Sequence, residues 1–290
     1  MLSALRDDLA TDLSFIETTA LTIAHYRALE SARPDRLFFD PFASAFVEAA
    51  GRAGDSASQL PAAPADYFAV RTKYFDEYVE RACAAGCPQV VILAAGLDAR
   101  AFRLALPPEV RLFEVELATM LRFKESVLAK TRARAKCDRI LVPSDLRDDW
   151  PAALSRIGFR HDVPTAWLVE GLLFYLTKAD GDRLLQRIAR LSVLGSRIGL
   201  EHVNQATRDG MAATLAALAA RGAPWQSSVE DPAAWLAGLG WNARVSDQGK
   251  LGRRYGRAPA LPAADDPGSG PKAWLVEGWL IEPGARADRP

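Results

Sequence analysis

The fold class that the sequence predicts is α/β, with a mostly parallel sheet covered by helices. Five short runs of apolar and β-branched residues alternate along the chain with segments of helical periodicity, a pattern typical of strands joined by crossover helices. The first run ends at a glycine turn that leads directly into a helix-forming segment. The chain has 290 residues, of which 49% are hydrophobic and 25% charged, so it has enough apolar material to bury such a core.

Helical segments precede the first strand. Apolar residues at helical spacing, and a proline at one helix start, predict three helices there. Residues 51–64 are rich in Gly, Ala, Ser and Pro, which predicts a loop between the second helix and the third. We therefore expect an N-terminal helical cap over residues 1–88 and a core over residues 89–290. The predicted helices of the cap are Thr18–Glu30, Pro41–Ala50 and Tyr67–Ala84.

Five strands and their connecting helices form the first part of the predicted core. The first strand is followed by Gly96 and by Asp98, which can cap a short helix that runs to Leu106. The predicted strands are Gln89–Ala94, Val110–Glu116, Arg139–Val142, Thr165–Glu170 and Ser196–Val203. The other predicted helices are Ala118 to about Arg134, Ala179–Leu191 and Met211–Ala220.

Two further strands, Trp241–Gln248 and Ala273–Ile281, complete the predicted sheet. The stretch Gly256–Lys272 that joins them is rich in Pro, Gly and Asp and contains no crossover helix, so the two strands are expected to be antiparallel. We expect an insertion at about residues 205–240 to form a lid. Parallel strands that end in a hairpin-like pair resemble the Rossmann-like sheet of class I methyltransferases.

The charge balance excludes some classes of partner. The 36 basic and 36 acidic residues cancel, which disfavours a surface that binds nucleic acid or an anionic membrane. Asp7, Asp8 and Asp12 stand where a secretory signal would need basic and then apolar residues. The apolar run Val163–Leu176 is interrupted by Glu170 and is shorter than the roughly 20 residues that span a bilayer. We therefore expect a cytoplasmic protein.

Cysteine and histidine usage argues against a metal site. Cys83 and Cys87 are four residues apart on a predicted helix, but neither a second cysteine pair nor paired histidines complete a four-ligand set. We interpret these two residues and Cys137 as structural thiols. An odd number of cysteines also fits a reducing compartment.

Four acidic residues follow successive predicted strands. Glu116 ends the second strand, Asp145 follows the third, Glu170 ends the fourth and Glu201 lies near the end of the fifth. Ligands of open α/β sheets bind beyond the carboxyl ends of the strands. Glu116 follows Gly96 by 20 residues, the separation at which Rossmann-type sites place a ribose-binding carboxylate. Each acid taken alone has a structural alternative, as a helix cap or a solvated strand end.

The glycine turn indicates which cofactor fits. Residues 94–99 keep only the middle glycine, Gly96, of the G-x-G-x-x-G pattern, with Ala94 and Ala99 at the outer places. The missing glycines disfavour the pyrophosphate of NAD, because that group needs a close approach of backbone amides. S-adenosylmethionine has no phosphate and carries a positive sulfonium. An acidic ring around the site therefore suits S-adenosylmethionine better than NAD.

Several longer motifs add specificity to this interpretation. The turn segment Val90–Leu104 resembles the Gly-rich segment of bacterial S-adenosylmethionine-dependent O-methyltransferases related to leucine carboxyl methyltransferase, a family that includes polyketide-tailoring enzymes. The similarity covers most of the chain and is looser in the last quarter. The other similar segments are TALTIAHYRALES, FDPFASAFV, YFAVRTKYFDEYV, FEVELATMLRFKESVL, SDLRDDWPAAL, PTAWLVEGLLFYL and LSVLGSRIGLEHVN.

The resemblance implies roles for individual residues. Arg71 would pair with the carboxylate of S-adenosylmethionine, and Gly96 would lie under its methionine part. Glu116 would hold the ribose hydroxyls, and Glu170 would lie near the amino group of the cofactor.

The resemblance also implies that Asp145 and Leu146 frame the adenine, with Asp145 accepting a hydrogen bond from the adenine amino group. Two positions depart from the usual family pattern. Ala94, which would border the cofactor, replaces Gly, and Glu116 replaces the more common Asp.

Methyl transfer from a sulfonium needs alignment and exclusion of water, and no covalent intermediate. A carboxylate acceptor is already ionised at neutral pH and needs no general base. We therefore expect O-methylation of a small-molecule carboxylate, such as an aromatic or polyketide-like secondary metabolite. One alternative is a hydroxyl acceptor, with His202 as general base. The other is a cofactor-binding scaffold without turnover. Tyr175 is a second candidate catalytic residue, and it belongs to a set of aromatic side chains expected near the acceptor. The set consists of Tyr67, Phe68, Tyr74, Phe75, Phe174, Tyr175 and Trp225.

Overall fold

A seven-stranded sheet forms the centre of the protein in a computed structural model, which describes residues 15–51, 65–220, 222–258 and 270–280. The strand order is β3-β2-β1-β4-β5-β7-β6. The strands are β1 Gln89–Leu93, β2 Arg111–Glu116, β3 Asp138–Pro143, β4 Thr165–Val169, β5 Arg197–Val203, β6 Trp241–Asp247 and β7 Ala273–Leu280.

The first five strands are parallel, and the last two are antiparallel to their neighbours. β1 lies between β2 and β4, so the strand order reverses at β1. β7 pairs antiparallel with both β5 and β6, with Glu201 opposite Leu275. This arrangement confirms the predicted fold class, including the antiparallel pair.

Helices cover both faces of this sheet. The helices before the sheet are α1 Phe15–Ser31, α2 Ala43–Ala49 and α3 Ala65–Ala84. The helices within it are α4 Arg100–Arg103, α5 Ala118–Thr131, α6 Trp150–Arg156, α7 Lys178–Arg190, α8 Gln205–Gly210, α9 Ala212–Ala220, α10 Pro232–Ala237 and α11 Gln248–Arg254. A 3-10 turn spans Leu173–Tyr175.

The period-two alternation of the strands divides the core into two layers. Val90 and Ile92 of β1 face a cluster that includes α3 and α5, whereas Val91 and Leu93 face a second cluster that includes α6 and α7. α3 packs directly on the sheet, and Gly199 of β5 makes this close approach possible. A Cβ atom at that position would lie 2.7 Å from the Tyr78 ring.

One prediction about helices is wrong, and four short helices were missed. The helix after Asp98 ends at Arg103 instead of Leu106, because Leu104 is extended and two prolines follow it. Four short helices were not predicted, because six or seven residues carry too little periodicity. A local signal was nevertheless present, since each of them begins at a side chain that caps a backbone N–H. The capping residues are Asp149, Asn204, Asp231 and Asp247.

Some predictions fall on residues outside the described ranges. These are the aspartates at positions 7, 8 and 12, residues 52–64 of the predicted loop, and residues 259–269 of the stretch before β7. The division at residue 88 and the lid over 205–240 remain predictions. Within the described ranges, no helix is both long and apolar enough to cross a membrane.

Candidate functional site

The loop after β1 is held from two sides at the carboxyl edge of the sheet. The backbone N–H of Gly96 donates to Glu116 Oε2 at 2.7 Å, and the N–H of Leu117 donates to Glu116 Oε1 at 2.6 Å. A Cβ atom on Gly96 would lie 3.4 Å from the Cβ of Ala20 on α1, so this helix lies over the loop. The structure therefore brings Gly96 and Glu116 together, and the longer Glu side chain reaches across to the glycine.

Ala94 is the departure from the family pattern with a visible backbone consequence. Its φ angle is +52° and that of Gly96 is +47°, a left-handed conformation that costs a residue with a Cβ roughly 1–2 kcal/mol. A glycine at position 94 would remove this strain but would lose more backbone entropy on folding.

Replacing Ala94 by Gly is expected to stabilise the protein by about 0.5–1 kcal/mol, which corresponds to a rise of about 1–3 °C in Tm. Differential scanning calorimetry measures this change. Ala95→Gly is the matched control, because Ala95 has no positive φ and its replacement should lower Tm. A lower Tm for Ala94→Gly would contradict the strain at this position.

Arg71 lies on α3 and meets the ends of β4 and β5. Its Nε atom is 2.9 Å from Glu170 Oε1, and its Nη1 atom is 3.1 Å from Glu201 Oε2. Its side chain is only 6% exposed. The structure thus brings Arg71 and Glu170 together, as expected for two residues of one site, and adds Glu201 to them.

The ion pairs continue toward the loop after β1. Arg100 Nη2 lies 2.9 Å from Glu170 Oε2, and Arg100 also pairs with Asp76 and Asp98. Burial by itself would raise the pKa of Asp98, but Arg100, Lys124 and Arg103 together hold that pKa at about 2. We call the whole group the ion-pair cluster. It consists of Arg71, Arg100, Arg103, Asp76, Asp98, Glu170 and Glu201.

The ion-pair cluster contains four carboxyl groups and three guanidinium groups, so its acids outnumber its bases by one. Burial raises the pKa of Glu201, and the attraction of Arg71 opposes that rise. A ligand that brings a positive charge to this edge would balance the extra carboxylate. A sulfonium and an ammonium both meet this requirement.

One edge of the Arg71 guanidinium lacks an aligned acceptor. The contact of Nε with Glu170 is short but poorly directed, so this buried N–H has no hydrogen-bond partner among the described residues. Nη1 donates to Glu201, whereas the structure shows no hydrogen bond from Nη2 to a described group. The Nε–Nη2 edge is the fork that binds a carboxylate through two parallel hydrogen bonds. Arg71 therefore fits the carboxylate of an amino acid moiety.

Asp145 and Leu146 follow β3, next to the end of β2. The N–H of Ser144 donates to the backbone oxygen of Glu116 at 2.9 Å, which places this turn beside Glu116 at the end of β2. The Asp145 carboxylate accepts from the backbone N–H of Arg147 at 2.9 Å and from its Nε at 3.0 Å. These contacts lower the pKa of Asp145. The side chain of Arg147 is 89% exposed, so it can move away from an arriving ligand.

The aromatic side chains divide into two groups. Tyr74 and Phe75 are buried core residues. Tyr175 lies on the 3-10 turn, and burial raises the pKa of its phenol. The Phe174 ring lies tilted against Trp225 with ring centroids 4.2 Å apart, and Tyr175 contacts the same indole edge-on. The Phe174–Trp225 contact therefore links the 3-10 turn to the predicted lid segment.

His202 does not join the ion-pair cluster. Alternation along β5 directs Glu201 toward α3 and His202 toward the opposite face of the sheet. There the Nδ1 atom accepts from the N–H of Val203 at 2.9 Å, and Nε2 lies 3.4 Å from Ser227 Oγ. The adjacent cavity, which Trp235 also lines, has a volume of about 10 Å³, enough for one water molecule. This position does not favour His202 as the general base for a hydroxyl acceptor, and that alternative stays a prediction.

Protonation of His202 is expected to destabilise the fold. Burial lowers its pKa from 6.5 to about 4, so the unfolded chain binds this proton more tightly than the folded one. The stabilisation is complete above pH 6.5 and falls by roughly 3 kcal/mol as the pH drops to 4. Chemical denaturation at several pH values should show a shallower slope between pH 6.5 and 5 for His202→Gln. The control variant is His161→Gln, which replaces an exposed histidine. A slope for His202→Gln equal to that of the unchanged protein would contradict the prediction.

Two contributors to the site were missed at the sequence level. Arg100 gave no signal, because an arginine in a four-residue helix has no distinguishing pattern. Tyr67 was expected only as an aromatic wall, whereas its hydroxyl donates to Glu201. Glu201 was noted as a strand-end acid, without a role. The contact between these two residues joins positions 134 apart in the sequence.

Comparison with known proteins shows the family to which the chain belongs. Residues 20–189 match the family described as leucine carboxyl methyltransferase. A protein of Frankia alni, named as a candidate S-adenosyl-L-methionine-dependent methyltransferase, is 42% identical over 267 residues, which cover 89% of this chain and 93% of that protein. A Streptomyces coelicolor protein with the same description is 44% identical over 264 residues, which cover 87% of this chain and 93% of that protein.

Solved structures support the fold. A DUF574 family protein from Streptomyces avermitilis has a TM-score of 0.60 at 16% identity, covering 91% of this chain and 97% of its own. A candidate methyltransferase from Thermobifida fusca has a TM-score of 0.58 at 17% identity, covering 82% of this chain and 93% of its own. At these identities the likeness concerns the fold alone. Taken with the sequence relatives, the chain belongs to the leucine carboxyl methyltransferase family and is an S-adenosylmethionine-dependent methyltransferase.

Proposed function

We propose that the protein methylates a carboxylate oxygen of a small molecule, and that S-adenosylmethionine binds across the carboxyl ends of β1, β2 and β4. The acceptor class that we propose is an aromatic or polyketide-like acid. The unaligned Nε–Nη2 edge of Arg71 carries the cofactor part of the proposal. Its Nε is a buried donor without an aligned acceptor. The Nε–Nη2 edge has the shape that binds a carboxylate, and it lies at the edge of the sheet where such folds bind ligands.

The residues of this edge fit the parts of S-adenosylmethionine. Arg71 would bind the carboxylate, Glu170 the amino group and Glu116 the ribose hydroxyls, while Asp145 and Leu146 would frame the adenine. Gly96 leaves space beside Ala20, which a larger residue would close. Bound S-adenosylmethionine supplies an electrophilic methyl group, which an aligned oxygen takes by in-line displacement. The contribution of the protein is to orient the two reactants and to exclude water.

The absence of a suitable base among the described cluster residues favours a carboxylate acceptor. Glu170 and Glu201 are engaged by arginines. Burial raises the pKa of the phenols of Tyr67 and Tyr175, so both stay protonated at neutral pH. His202 faces the other side of the sheet. A carboxylic acid with a pKa near 4 is already ionised at pH 7 and needs none of these groups to remove a proton.

Aromatic side chains near Arg71 support the acceptor class. Tyr26 of α1 stacks on Phe68 of α3 with ring centroids 4.8 Å apart, and the Arg71 guanidinium lies 4.9 Å from the Phe68 centroid. Phe174 and Trp225 form a second pair of rings in contact, and we expect both pairs to border the acceptor. Such walls suit a flat apolar acid.

The test compares matched acceptors with methyl-labelled S-adenosylmethionine. Each pair consists of an aromatic acid whose hydroxyl is blocked and the corresponding phenol whose carboxyl group is an amide. We expect label on the acid, released as methanol by mild alkali, because methyl esters hydrolyse and methyl ethers do not. Alkali-stable label on the phenol, lost in His202→Ala, would replace our proposal with hydroxyl methylation.

A further inference from the structure

We propose that Glu201, held by the Tyr67 hydroxyl, is a positioning residue that orients Arg71 toward the carboxylate of bound S-adenosylmethionine. This inference rests on the proposed cofactor site. It assigns to Glu201 and Tyr67 a role in cofactor affinity, in which they act through Arg71 and do not contact the cofactor.

Glu201 is fixed by three donors from two parts of the chain. Its side chain is 0% exposed, on the α3 face of β5. The Tyr67 hydroxyl donates to Oε1, the N–H of Gly171 donates to Oε2 at 3.0 Å, and Arg71 Nη1 donates to Oε2 at 3.1 Å. Because these donors come from α3 and from the loop after β4, the carboxylate cannot rotate without breaking at least one of them.

The fixed carboxylate sets the orientation of the guanidinium. Arg71 is attached to Glu201 through Nη1, and the Phe68 ring lies 4.9 Å from its central carbon. One hydrogen bond and one ring contact together restrain the planar group in position and in tilt. The edge left over is Nε–Nη2, whose Nε is buried without an aligned partner. Glu201 therefore binds Nη1, the one guanidinium nitrogen that a carboxylate at the Nε–Nη2 edge does not contact.

Glu170 cannot replace Glu201 in this role. It lies between Arg71 and Arg100, at 2.9 Å from each, and its contact with Arg71 Nε is poorly aligned. In the proposed complex Glu170 would also turn to the amino group of the cofactor. Only Glu201 would then hold the guanidinium from the protein side, so loss of its charge should allow Arg71 to follow Glu170.

Tyr67 is the permanent donor to this carboxylate. Burial, with Glu201 beside it, raises the pKa of the phenol well above its usual value, so the hydroxyl keeps its proton at any working pH. Tyr67 and Arg71 are four residues apart on α3 and therefore lie on the same helix face. Removing the hydroxyl should loosen Glu201 while its charge remains, which predicts a smaller effect than removing the charge.

The experiment measures the Kd of two ligands by isothermal titration calorimetry. S-adenosylhomocysteine carries the amino acid carboxylate, and 5′-methylthioadenosine has the same nucleoside but lacks the amino acid part. For Glu201→Gln we expect the Kd of S-adenosylhomocysteine to rise about tenfold and for Tyr67→Phe about threefold, as for weakening one charged hydrogen bond. The Kd of 5′-methylthioadenosine should stay within twofold in both variants.

The control variant is Glu277→Gln, which removes another buried, arginine-paired carboxylate at the other end of the sheet. It should change neither Kd. In an Arg71→Lys background, Glu201→Gln should have no further effect on S-adenosylhomocysteine, because the fork that it orients is gone.

Equal weakening of both ligands, or no weakening of S-adenosylhomocysteine, in a folded Glu201→Gln variant would overturn the positioning role and leave the cofactor site intact. If the unchanged protein bound 5′-methylthioadenosine as tightly as S-adenosylhomocysteine, and Arg71→Lys changed neither Kd, the proposed carboxylate site itself would fall. The two failures are thus distinguishable.

Discussion

Replacement of Arg71 by alanine is expected to abolish S-adenosylmethionine binding, with at least a 100-fold rise in Kd. The variant loses the guanidinium whose Nε–Nη2 edge would bind the carboxylate, and a buried charged pair of this kind is worth roughly 2–5 kcal/mol when one partner is removed. It also leaves Glu201, which is 0% exposed, without its cation. We therefore expect a loss of about 3–5 kcal/mol in the free energy of unfolding.

Because Arg71→Ala can fail to fold, Arg71→Lys is the second variant for this prediction. Lysine keeps the charge but lacks the planar fork, so the Kd for S-adenosylmethionine should rise about 10–30-fold while most of the stability is kept. Arg81→Ala, on the same helix but paired with Glu277, should leave the Kd unchanged. Calorimetric titration measures all three variants, and wild-type affinity in folded Arg71→Lys would contradict this role.

Replacement of Glu116 by alanine has the second largest expected effect. The carboxylate holds the N–H groups of Gly96 and Leu117 at 2.7 and 2.6 Å, and it is the proposed partner of the ribose hydroxyls. Hydrogen bonds to a charged group contribute about 1.5–3 kcal/mol each. We therefore expect the Kd for S-adenosylmethionine to rise about 100-fold, through loss of a direct contact and through release of the loop after β1.

The controls separate these two causes. Glu116→Gln retains one acceptor oxygen and the shape of the side chain, so it should weaken binding less than Glu116→Ala does. Asp138→Ala removes an exposed acid at the other end of the neighbouring strand and should leave the Kd unchanged. Adenosine analogues without ribose hydroxyls provide the last control. If Glu116→Ala raises their Kd as much as it raises the Kd for S-adenosylmethionine, only the loop is affected.

The sheet could be predicted from the sequence because its determinants are local. Each strand is a short apolar run, and the continuous apolar run Val90–Leu93 already indicates a strand buried on both faces. The strand-end position of Glu116 likewise follows from counting along the chain. The absence of a crossover helix was sufficient to predict that β6 and β7 are antiparallel, although a short helix, α11, lies between them.

Contacts across the fold could not be predicted in the same way. Whether Glu201 or His202 faces α3 depends on where β5 begins its alternation, and a shift by one residue exchanges their faces. The hydrogen bond between Tyr67 and Glu201 joins α3 to β5, and no spacing rule relates two such distant segments. The ion pair of Arg100 with Glu170 likewise joins two residues that are distant in the sequence. Sequence patterns therefore indicated candidate residues, and tertiary packing determined their partners.

The most direct test of the central claim is a crystal structure of the protein with S-adenosylhomocysteine. We predict that the ligand carboxylate accepts from Nε and Nη2 of Arg71 at about 3 Å, with Nη1 still bound to Glu201 and the ribose hydroxyls on Glu116. A ligand whose carboxylate lies on another group, with the Nε–Nη2 edge of Arg71 unused, would contradict the account.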